Sequence, residues 1–200
     1  MALVHASAQL DRQKREIERR LRERYQGFSR QDFLTLPVMS AYNRYYRRFS
    51  KTYHVLQQVE SIVLKGRDLP NISPLVDSNF MAEVDTLILT AGHDVEKLQG
   101  SILMDLAQAG DQITQMSGST KPVLVDDMVM RDAHGVCCSI IYGQDNLSPI
   151  SPITSHVLYV AYAPPGISDD LVEAHLQKIR ENILLFSPSV FVEQQRLFLA

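Results

Sequence analysis

The sequence contains only two cysteines and no hydrophobic run long enough to cross a membrane. Cys137 and Cys138 are adjacent, which disfavours a disulfide between them and fits none of the spacings at which paired cysteines bind metals. A membrane span needs roughly 18 uninterrupted apolar residues, and no stretch approaches that length. The chain also reaches Asp11 and Arg12 without the basic and apolar regions of a secretory signal. We therefore expect a soluble, cytoplasmic protein with no membrane partner.

The common catalytic and cofactor motifs are absent as well. The sequence has no Walker loop, no dinucleotide-binding glycine fingerprint, no Gly-x-Ser-x-Gly elbow and no His-Glu-x-x-His pair. A zinc site would have to combine both cysteines with nearby histidines, His134 and His156. Adjacent residues of a strand point to opposite faces, so Cys137 and Cys138 cannot readily share one tetrahedral site. We therefore predict neither a metal site nor a cofactor.

Length and composition indicate one main globular domain with an appendage. The chain has 200 residues, of which 45% are hydrophobic and 22% charged. It is long enough to bury a core, and its composition is typical of folded proteins, which excludes disorder over the whole chain.

The charged residues are distributed unevenly along the chain. Residues 1–67 hold 14 basic against 6 acidic side chains, whereas residues 68–200 hold 6 against 17. The front segment therefore either contacts a polyanion or folds against an acidic body.

Helical periodicity precedes and follows a strand-rich centre. We expect helices over residues 7–24, 37–49, 55–63 and 75–84, a turn at 91–94, and a last helix that begins at Ser168 and ends before Pro188. Strands are expected at 101–106, 127–131, 135–142 and 155–161. The first helix has a thin apolar stripe, so we expect it to be solvated. Strands separated by loops imply an antiparallel or mixed sheet, and the sum is an α+β fold.

The densest aromatic and basic patch lies in the second of these helices. Its aromatic residues are Tyr42, Tyr45, Tyr46 and Phe49, and three arginines interleave with them. One interpretation is nucleic-acid binding, because guanidinium groups meet phosphates and aromatic faces stack on unpaired bases. The other is that the aromatic side chains pack inward while the arginines stay in solvent. The arginines that we expect to contact RNA are Arg19, Arg20, Arg22, Arg24, Arg44, Arg47 and Arg48.

Polar residues cluster where the predicted elements end, and sites usually form on such loops. These residues are Asn79, His93, Asp94, Asp126, Asp127, Gly143, Asp145 and Thr154. Each also has a structural interpretation. Asn79 and Thr154 would cap or turn the backbone, Asp94 would cap a short helix over residues 95–98, and His93 would be an ordinary surface or satisfied histidine. Taken singly, the structural interpretation is favoured.

Several segments of the sequence resemble a known domain. They are Leu-Lys-Gly-Arg-Asp-Leu-Pro-Asn-Ile-Ser-Pro-Leu-Val-Asp-Ser-Asn at 64–79, Gly-His-Asp-Val-Glu-Lys-Leu-Gln-Gly at 92–100, and residues 132–143 and 154–160. In their order and spacing they resemble the tRNA-binding and editing domain, called B-three/B-four, of the phenylalanyl-tRNA synthetase beta subunit, and above all the stand-alone proteins built from it. The resemblance spans about residues 53–162. It implies a β-sandwich-like core of the editing-domain type, here with basic N-terminal helices and a C-terminal helix, and a pocket that hydrolyses tyrosine mischarged on the phenylalanine tRNA.

The resemblance assigns site residues position by position. Ser78 and Asn79 match the Thr-Asn pair that lines the editing pocket. Gly143 matches the second glycine position of the family's glycine-containing segment, and the first falls at Ser139. The catalytic residues would be His93, Asn79 and Thr154, and the substrate-binding residues would be Ser78, Asp94, Ser139, Gly143 and Asp145.

Two further positions depart from the family's pattern. His93 directly precedes Asp94, whereas the editing histidine stands three residues before that aspartate. The glutamate that reads the tyrosine hydroxyl falls near Val160, so the site lacks the acceptor that separates tyrosine from phenylalanine. Ester hydrolysis also needs a positioned water and a stabilised oxyanion, which His93 and backbone amides near Gly143 could supply.

Three functions are compatible with these residues. The first is an RNA- or tRNA-binding module with a partly degenerate pocket, the second a trans-acting aminoacyl-tRNA deacylase, and the third a protein-interaction or small-molecule-binding domain without RNA. We expect residues 1–50 to form a basic helical extension and residues 51–200 the B-three/B-four-like domain. The apolar tail at 190–199 would dock as an edge strand or join two copies in a homodimer.

Overall fold

The computed structural model describes residues 2–198, which form two compact units. The first, which we call the helical unit, comprises the chain up to Asn43, the segment Tyr53–Ile88 and the chain from Ala163 onward. The second, which we call the sheet unit, comprises Arg44–Thr52 and Leu89–Tyr162. Helices and antiparallel sheets together confirm the α+β class. The domain boundary expected at residue 50 stays a prediction.

The described residues contain six α-helices. They are α1 Ala2–Arg24, α2 Arg30–Thr35, α3 Pro37–Arg48, α4 His54–Val63, α5 Pro74–Thr86 and α6 Asp169–Leu184. The five predicted helices are confirmed, and α2 is additional. It begins with a capping box, in which Ser29 and Asp32 each accept a hydrogen bond from the other's backbone N–H. Within residues 2–198, no helix has the length and apolar content that crossing a membrane requires.

Helix α1 is not the solvated helix that its thin apolar stripe predicted. The stripe residues are all buried, and they are Leu10, Ile17 and Leu21. The helix packs on α4 and α5, and the same face also buries two charged side chains. Lys14 Nζ lies 2.5 Å from Asp77 Oδ2, and Glu18 accepts a hydrogen bond from the backbone N–H of Leu69 at 2.6 Å. Paired and hydrogen-bonded charges can be buried, so the buried face is wider than its apolar residues alone indicate.

Polar contacts join α5 and α6, which pack against each other in the helical unit. The side-chain amide of Asn182 donates to the carbonyl oxygen of Ser78 at 2.9 Å, and Nδ1 of His175 lies 2.7 Å from Oγ1 of Thr86. Asn182 and His175 are both buried. Buried polar groups cost free energy unless they are hydrogen-bonded, so these two contacts favour one alignment of the helices.

The strands of the sheet unit form three antiparallel sheets. Their bounds are β1 Thr90–Asp94, β2 Leu103–Leu106, β3 Gln112–Thr114, β4 Thr120–Pro122, β5 Met128–Asp132, β6 Gly135–Ser139, β7 Gly143–Gln144 and β8 Val157–Ala161. Strand β1 pairs with β8, β3 pairs with β4, and β2, β5, β6 and β7 form a four-stranded sheet in that order. A small apolar core in this unit consists of Ala107, Ile113, Val123, Val129 and Val136.

The segment expected to turn at residues 91–94 is instead part of strand β1. Its Gly92 pairs with Tyr159 of β8. A Cβ atom at Gly92 would lie 2.8 Å from Ile150 Cδ1 and 3.0 Å from the Tyr159 ring. This glycine therefore permits close packing on the strand and does not mark a turn. The four predicted strands are confirmed as β2, β5, β6 and β8, whereas β1, β3, β4 and β7 were not predicted.

The apolar tail does not form the edge strand that the sequence predicted. Residues 190–198 contain no strand, and Phe191 and Phe198 are 73% and 76% exposed. Leu199, the last residue of the predicted segment, lies outside the described residues. Docking of this tail against a partner, including a second copy, stays a prediction.

Candidate functional site

The candidate site residues are distributed over both units. Ser78 and Asn79 lie on α5 of the helical unit, and the sheet unit holds His93, Asp94, Ser139, Gly143, Asp145 and Thr154. Within the sheet unit, one group of hydrogen bonds includes His93 and Asp145, a second joins Asp94 to Thr154, and a third includes Ser139.

Ser78 and Asn79 are buried residues in the interior of α5. The hydroxyl of Ser78 donates to the carbonyl oxygen of Pro74 at 2.8 Å, one turn earlier in the same helix. The N-cap of α5 is Ser73, so the interpretation of Asn79 as a cap or turn residue is wrong. That these two side chains line a pocket stays a prediction.

A buried chain of three side chains connects Asp145, Ser148 and His93. Ser148 Oγ lies 2.7 Å from Asp145 Oδ1 and 2.7 Å from His93 Nδ1. The backbone N–H of Ser148 donates to the same carboxylate oxygen at 3.1 Å. None of the three residues is more than 5% exposed. The fold thus places Ser148, which the sequence analysis did not select, between the predicted site residues His93 and Asp145.

The second ring nitrogen of His93 has no partner. Nε2 is buried and makes no hydrogen bond to any described residue. Burial lowers the pKa of His93 to about 4, so the ring is neutral near pH 7 and carries one N–H and one bare lone pair. An unsatisfied buried polar atom costs about 1–3 kcal/mol. Such an atom is a candidate for ligand binding or catalysis.

Gln144 and Gly143 shape the strand that leads into this chain of side chains. The side-chain amide of Gln144 donates to the carbonyl oxygen of Ser148 at 2.9 Å, and its nitrogen lies 3.3 Å from His93 Nδ1. Gly143 has φ +82°, a left-handed conformation that side chains disfavour. Gly143 therefore sets the backbone direction that brings Gln144 and Asp145 to His93.

Asp94 and Thr154 are joined by a hydrogen bond. The hydroxyl of Thr154 donates to Asp94 Oδ2 at 2.7 Å, and the backbone N–H of Glu96 donates to Oδ1 at 3.2 Å. The bond from Thr154, and then the other contacts including nearby Lys97, lower the pKa of Asp94. Asp94 thus caps a short 3-10 helix at Val95–Lys97, which confirms its capping interpretation. Neighbouring residues of a strand face opposite ways, so this pair is on the other side of β1 from the His93 ring.

Ser139 belongs to a network around the fully buried carboxyl group of Asp127. The hydroxyls of Ser139 and Tyr45 both donate to this carboxyl group, Tyr45 over 2.7 Å. The Tyr45 oxygen also accepts from the backbone N–H of Met128 at 2.6 Å. Burial raises the pKa of Asp127. The Ser139 hydroxyl is therefore engaged inside the sheet unit by Asp127.

The two cysteines are free thiols that are buried and unreactive. Burial raises the pKa of Cys138 to about 12 and raises the pKa of Cys137 still further. The thiolate is the nucleophile and the metal ligand, so neither role is open to them at neutral pH. Within residues 2–198, no group of three or more His, Cys, Asp or Glu side chains is arranged to hold a metal ion.

Three of the arginines expected to contact RNA form ion pairs inside the helical unit. Arg19 pairs with Glu16 and Glu23, Arg20 with Asp85, and Arg22 with Asp68. Arg24 lies over the ring of Tyr25, 5.2 Å from its centroid. These pairs neutralise much of the positive charge of α1, which favours the interpretation that the front segment folds against acidic residues of its own chain.

The end of α3 carries a different set of cations, which is exposed. This α3 basic cluster consists of Arg44, Arg47, Arg48 and Lys51, all in the sheet unit. Tyr45 and Tyr46 are buried between them, so these tyrosines pack inward and cannot stack on bases. The Arg48 guanidinium lies 5.5 Å from the Tyr45 centroid and 5.3 Å from that of half-buried Phe49. A cleft of about 410 Å³ beside the cluster is lined by Arg48, Phe49, Ser50, Leu124, Val125 and Asp126.

Sequence reasoning missed Ser148, Gln144 and the role of Tyr45. An Asp followed three residues later by Ser is a turn signal, and the spacing of Asp145 and Ser148 could have pointed to the serine. Tyr45 meets its partner Asp127 across 82 residues, and no local pattern indicates such a contact.

No family model and no curated protein matched this chain in the comparisons. The resemblance to the synthetase editing domain therefore depends on the sequence segments given above.

Proposed function

We propose that the chain is an RNA-binding module that resembles the phenylalanyl-tRNA synthetase editing domain, with tRNA as its RNA and a partly degenerate pocket. The α3 basic cluster carries this proposal, because its four cations are all exposed, whereas Arg19, Arg20 and Arg22 of the predicted RNA-binding set form ion pairs in the helical unit. Guanidinium groups bind phosphates through paired hydrogen bonds. An exposed group of three arginines and a lysine is therefore suited to a phosphate backbone.

Two buried tyrosines hold the backbone of this cluster in place. Tyr45 donates to Asp127, and the hydroxyl of the next residue, Tyr46, donates to the carbonyl oxygen of Ile140 at 2.6 Å. Both acceptors belong to the sheet unit. The arginines therefore start from fixed backbone positions, and RNA binding would cost mainly their side-chain freedom.

Contacts from this cluster would be made mostly to phosphates. Of the aromatic residues at the end of α3, only Phe49 is partly exposed, which leaves little surface for stacking on bases. Phosphate contacts position an RNA without reading its sequence. We therefore expect weak sequence preference and an affinity that falls steeply with salt.

The triple variant Arg44→Glu/Arg47→Glu/Arg48→Glu tests the proposal. Titrated with total tRNA, it should bind at least about 30-fold more weakly than the native protein, and the slope of log K against log salt should flatten by about 2 to 3. A filter-binding or anisotropy titration at two salt concentrations measures both quantities.

A charge-matched control separates this surface from a general electrostatic effect. Arg12, Arg15 and Arg180 are exposed in the helical unit, so the triple variant that changes them to Glu alters the net charge equally. This control should bind tRNA within about threefold of the native protein, since salt screens charges that make no direct contact with the phosphates. Equal losses in both triple variants, or no loss at the α3 basic cluster, would contradict the proposal.

A second candidate is an aminoacyl-tRNA deacylase, which the unpartnered Nε2 of His93 favours. In this reaction Nε2 takes a proton from a water whose oxygen attacks the ester carbonyl carbon. The tetrahedral intermediate then breaks the carbon–oxygen bond to the ribose, and the proton passes to the departing ribose hydroxyl. Positioned general bases contribute roughly 10²- to 10⁴-fold to such rates.

Release of tyrosine from tyrosyl-tRNA for phenylalanine tests the second candidate. The native protein should accelerate deacylation, and His93→Gln, which keeps a polar group but no basic nitrogen, should lower the rate constant by at least about 100-fold. The variant should bind tRNA unchanged, because the α3 basic cluster is intact. Equal rates for the native protein and His93→Gln would eliminate this candidate and leave RNA binding untouched.

A further inference from the structure

The buried His93 side chain has two polar neighbours at one nitrogen and none at the other. Nδ1 lies 2.7 Å from Ser148 Oγ and 3.3 Å from the side-chain nitrogen of Gln144, and Ser148 in turn contacts Asp145. Nε2 has no partner among the described residues. The hydrogen atoms of this chain can be assigned by asking which atoms are able to donate.

The carboxylate of Asp145 determines which atom donates in its hydrogen bond with Ser148. An ionised carboxylate only accepts hydrogen bonds, and Oδ1 of Asp145 lies 2.7 Å from the hydroxyl oxygen of Ser148. The single hydroxyl hydrogen of Ser148 therefore points to the carboxylate, where the bond is charge-assisted and about twice as strong as one to a neutral acceptor. The hydroxyl oxygen is left to accept from Nδ1–H of His93.

The alternative arrangement leaves a less favourable set of atoms without hydrogen-bond partners. If Ser148 donated to Nδ1 instead, Asp145 would lose its hydroxyl donor, and the only N–H of His93 would be at the buried and unpartnered Nε2. Gln144 does not require this arrangement, because its amide already donates to the Ser148 carbonyl oxygen at 2.9 Å. The chain of bonds from carboxylate to hydroxyl to Nδ1–H satisfies every atom except the lone pair on Nε2.

We infer that Asp145 and Ser148 are positioning residues, which hold His93 as its Nδ1–H tautomer and so keep Nε2 unprotonated. Neither residue needs to touch the substrate. Only in this tautomer can Nε2 of the neutral ring take a proton from water. The chemical role of the tautomer rests on the deacylase candidate, whereas the tautomer itself rests on the hydrogen bonds alone.

Nitrogen NMR of the protein with ¹⁵N-labelled histidine tests the tautomer directly. In the native protein, Nδ1 of His93 should show the chemical shift of a protonated ring nitrogen and Nε2 that of an unprotonated one. Ser148→Ala should shift the population of the Nε2–H tautomer from minor to major, because Nδ1–H loses its acceptor. Ser148→Thr keeps the hydroxyl and should retain the native pattern.

Two further variants complete the tautomer experiment. Asp145→Asn removes the charged acceptor and should shift the populations in the same direction as Ser148→Ala, to a smaller extent. Thr154→Val removes a hydroxyl from the other face of β1 and should leave the His93 signals unchanged. An Nε2–H tautomer in the native protein would overturn the inference, and so would a Ser148→Ala protein that keeps the native tautomer. The native spectrum and Ser148→Thr remain decisive if Ser148→Ala fails to fold.

The rate of deacylation tests what the tautomer does. In the assay with tyrosyl-tRNA for phenylalanine, Ser148→Ala should lower the rate constant by at least about tenfold, because Nε2 then carries a proton in most molecules. A Ser148→Ala protein that deacylates at the native rate would overturn the positioning role. The deacylase candidate can fail in its own assay while the NMR results stand, so the two failures are distinguishable.

Discussion

Replacing Lys14 with alanine should lower the free energy of unfolding by about 3–5 kcal/mol, the typical loss when one partner of a buried ion pair is removed. The side chains of Lys14 and Asp77 are only 5% and 7% exposed, and their charged atoms are 2.5 Å apart. Lys14 Nζ also donates to the Pro70 carbonyl oxygen and to Asn71 Oδ1. The variant therefore leaves a buried carboxylate without its cation and two further acceptors without a donor. Urea denaturation monitored by circular dichroism measures the loss.

Two variants show whether burial is the cause. Arg19→Ala removes an ion-paired cation from the same helix, but this side chain is 57% exposed, so the loss should be much smaller than that of Lys14→Ala. Lys14→Met/Asp77→Asn removes both charges and keeps an acceptor for the backbone N–H of Ile72, so it should cost less than Lys14→Ala alone. A Lys14→Ala protein as stable as Arg19→Ala would contradict the buried pair.

The free energy of unfolding should fall by about 6 kcal/mol between pH 7.5 and pH 5, through three histidines that each contribute about 2 kcal/mol. Burial lowers the pKa of His54, His93 and His175 to about 4 in the folded protein, whereas an unfolded histidine titrates near 6.5. As the pH falls below 6.5, the unfolded chain therefore binds protons at these histidines that the folded chain does not bind. Stability is highest above that value and decreases until the pH reaches about 4. Urea denaturation midpoints across this range measure the effect.

Variants identify the groups that cause this pH dependence. His175→Gln keeps a polar atom near Thr86 and cannot titrate, so it should remove about a third of the slope. Asp127 acts in the opposite sense, because its raised pKa lets the folded protein take up a proton before the unfolded chain does, so it offsets part of the loss as the pH falls. Equal stability at pH 7.5 and pH 5 would contradict the neutral buried histidines.

The helices were predictable because their signals are local. Pro37 at the first turn and Gly66 in a left-handed conformation after α4 mark boundaries that the sequence placed within a few residues. The nature of α1 was not predictable in the same way. Its buried face includes Lys14 and Glu18, whose partners lie 63 and 51 residues away, and a hydropathy pattern counts such residues as solvated.

The strands that were not predicted from the sequence are short or contain residues that are typical of turns. Strand β1 contains Gly92, which in sequence favours a turn and in the fold makes room for Ile150. Strands β3, β4 and β7 have three residues or fewer, too few for alternation to be visible. Strand β1 also depends on pairing with β8, which lies far along the chain, and local propensity carries no information about that pairing.

The candidate site was only partly visible for the same reason. His93 and Asp145 could be singled out as polar residues at element ends, but their connection runs through Ser148, a residue without any distinguishing local signal of chemistry. The arginines of α1 were expected to contact RNA because of their charge alone. The ion pairs of Arg20 with Asp85 and of Arg22 with Asp68 depend on the tertiary fold, so composition alone does not separate these two arginines from the exposed α3 basic cluster.

The order of segments along the chain determines when each unit can be completed on the ribosome. Helix α5 ends at Thr86, and its partner α6 is finished only at Leu184, so translation of the intervening residues takes roughly 5–20 s at ordinary elongation rates. During this interval the nascent chain displays the face of α5 that His175 and Asn182 later contact. No residue of the sheet unit lies after Tyr162, so all of its residues have been synthesised while the helical unit still lacks α6. A chain truncated before α6 would expose this face of α5 to chaperones and proteases.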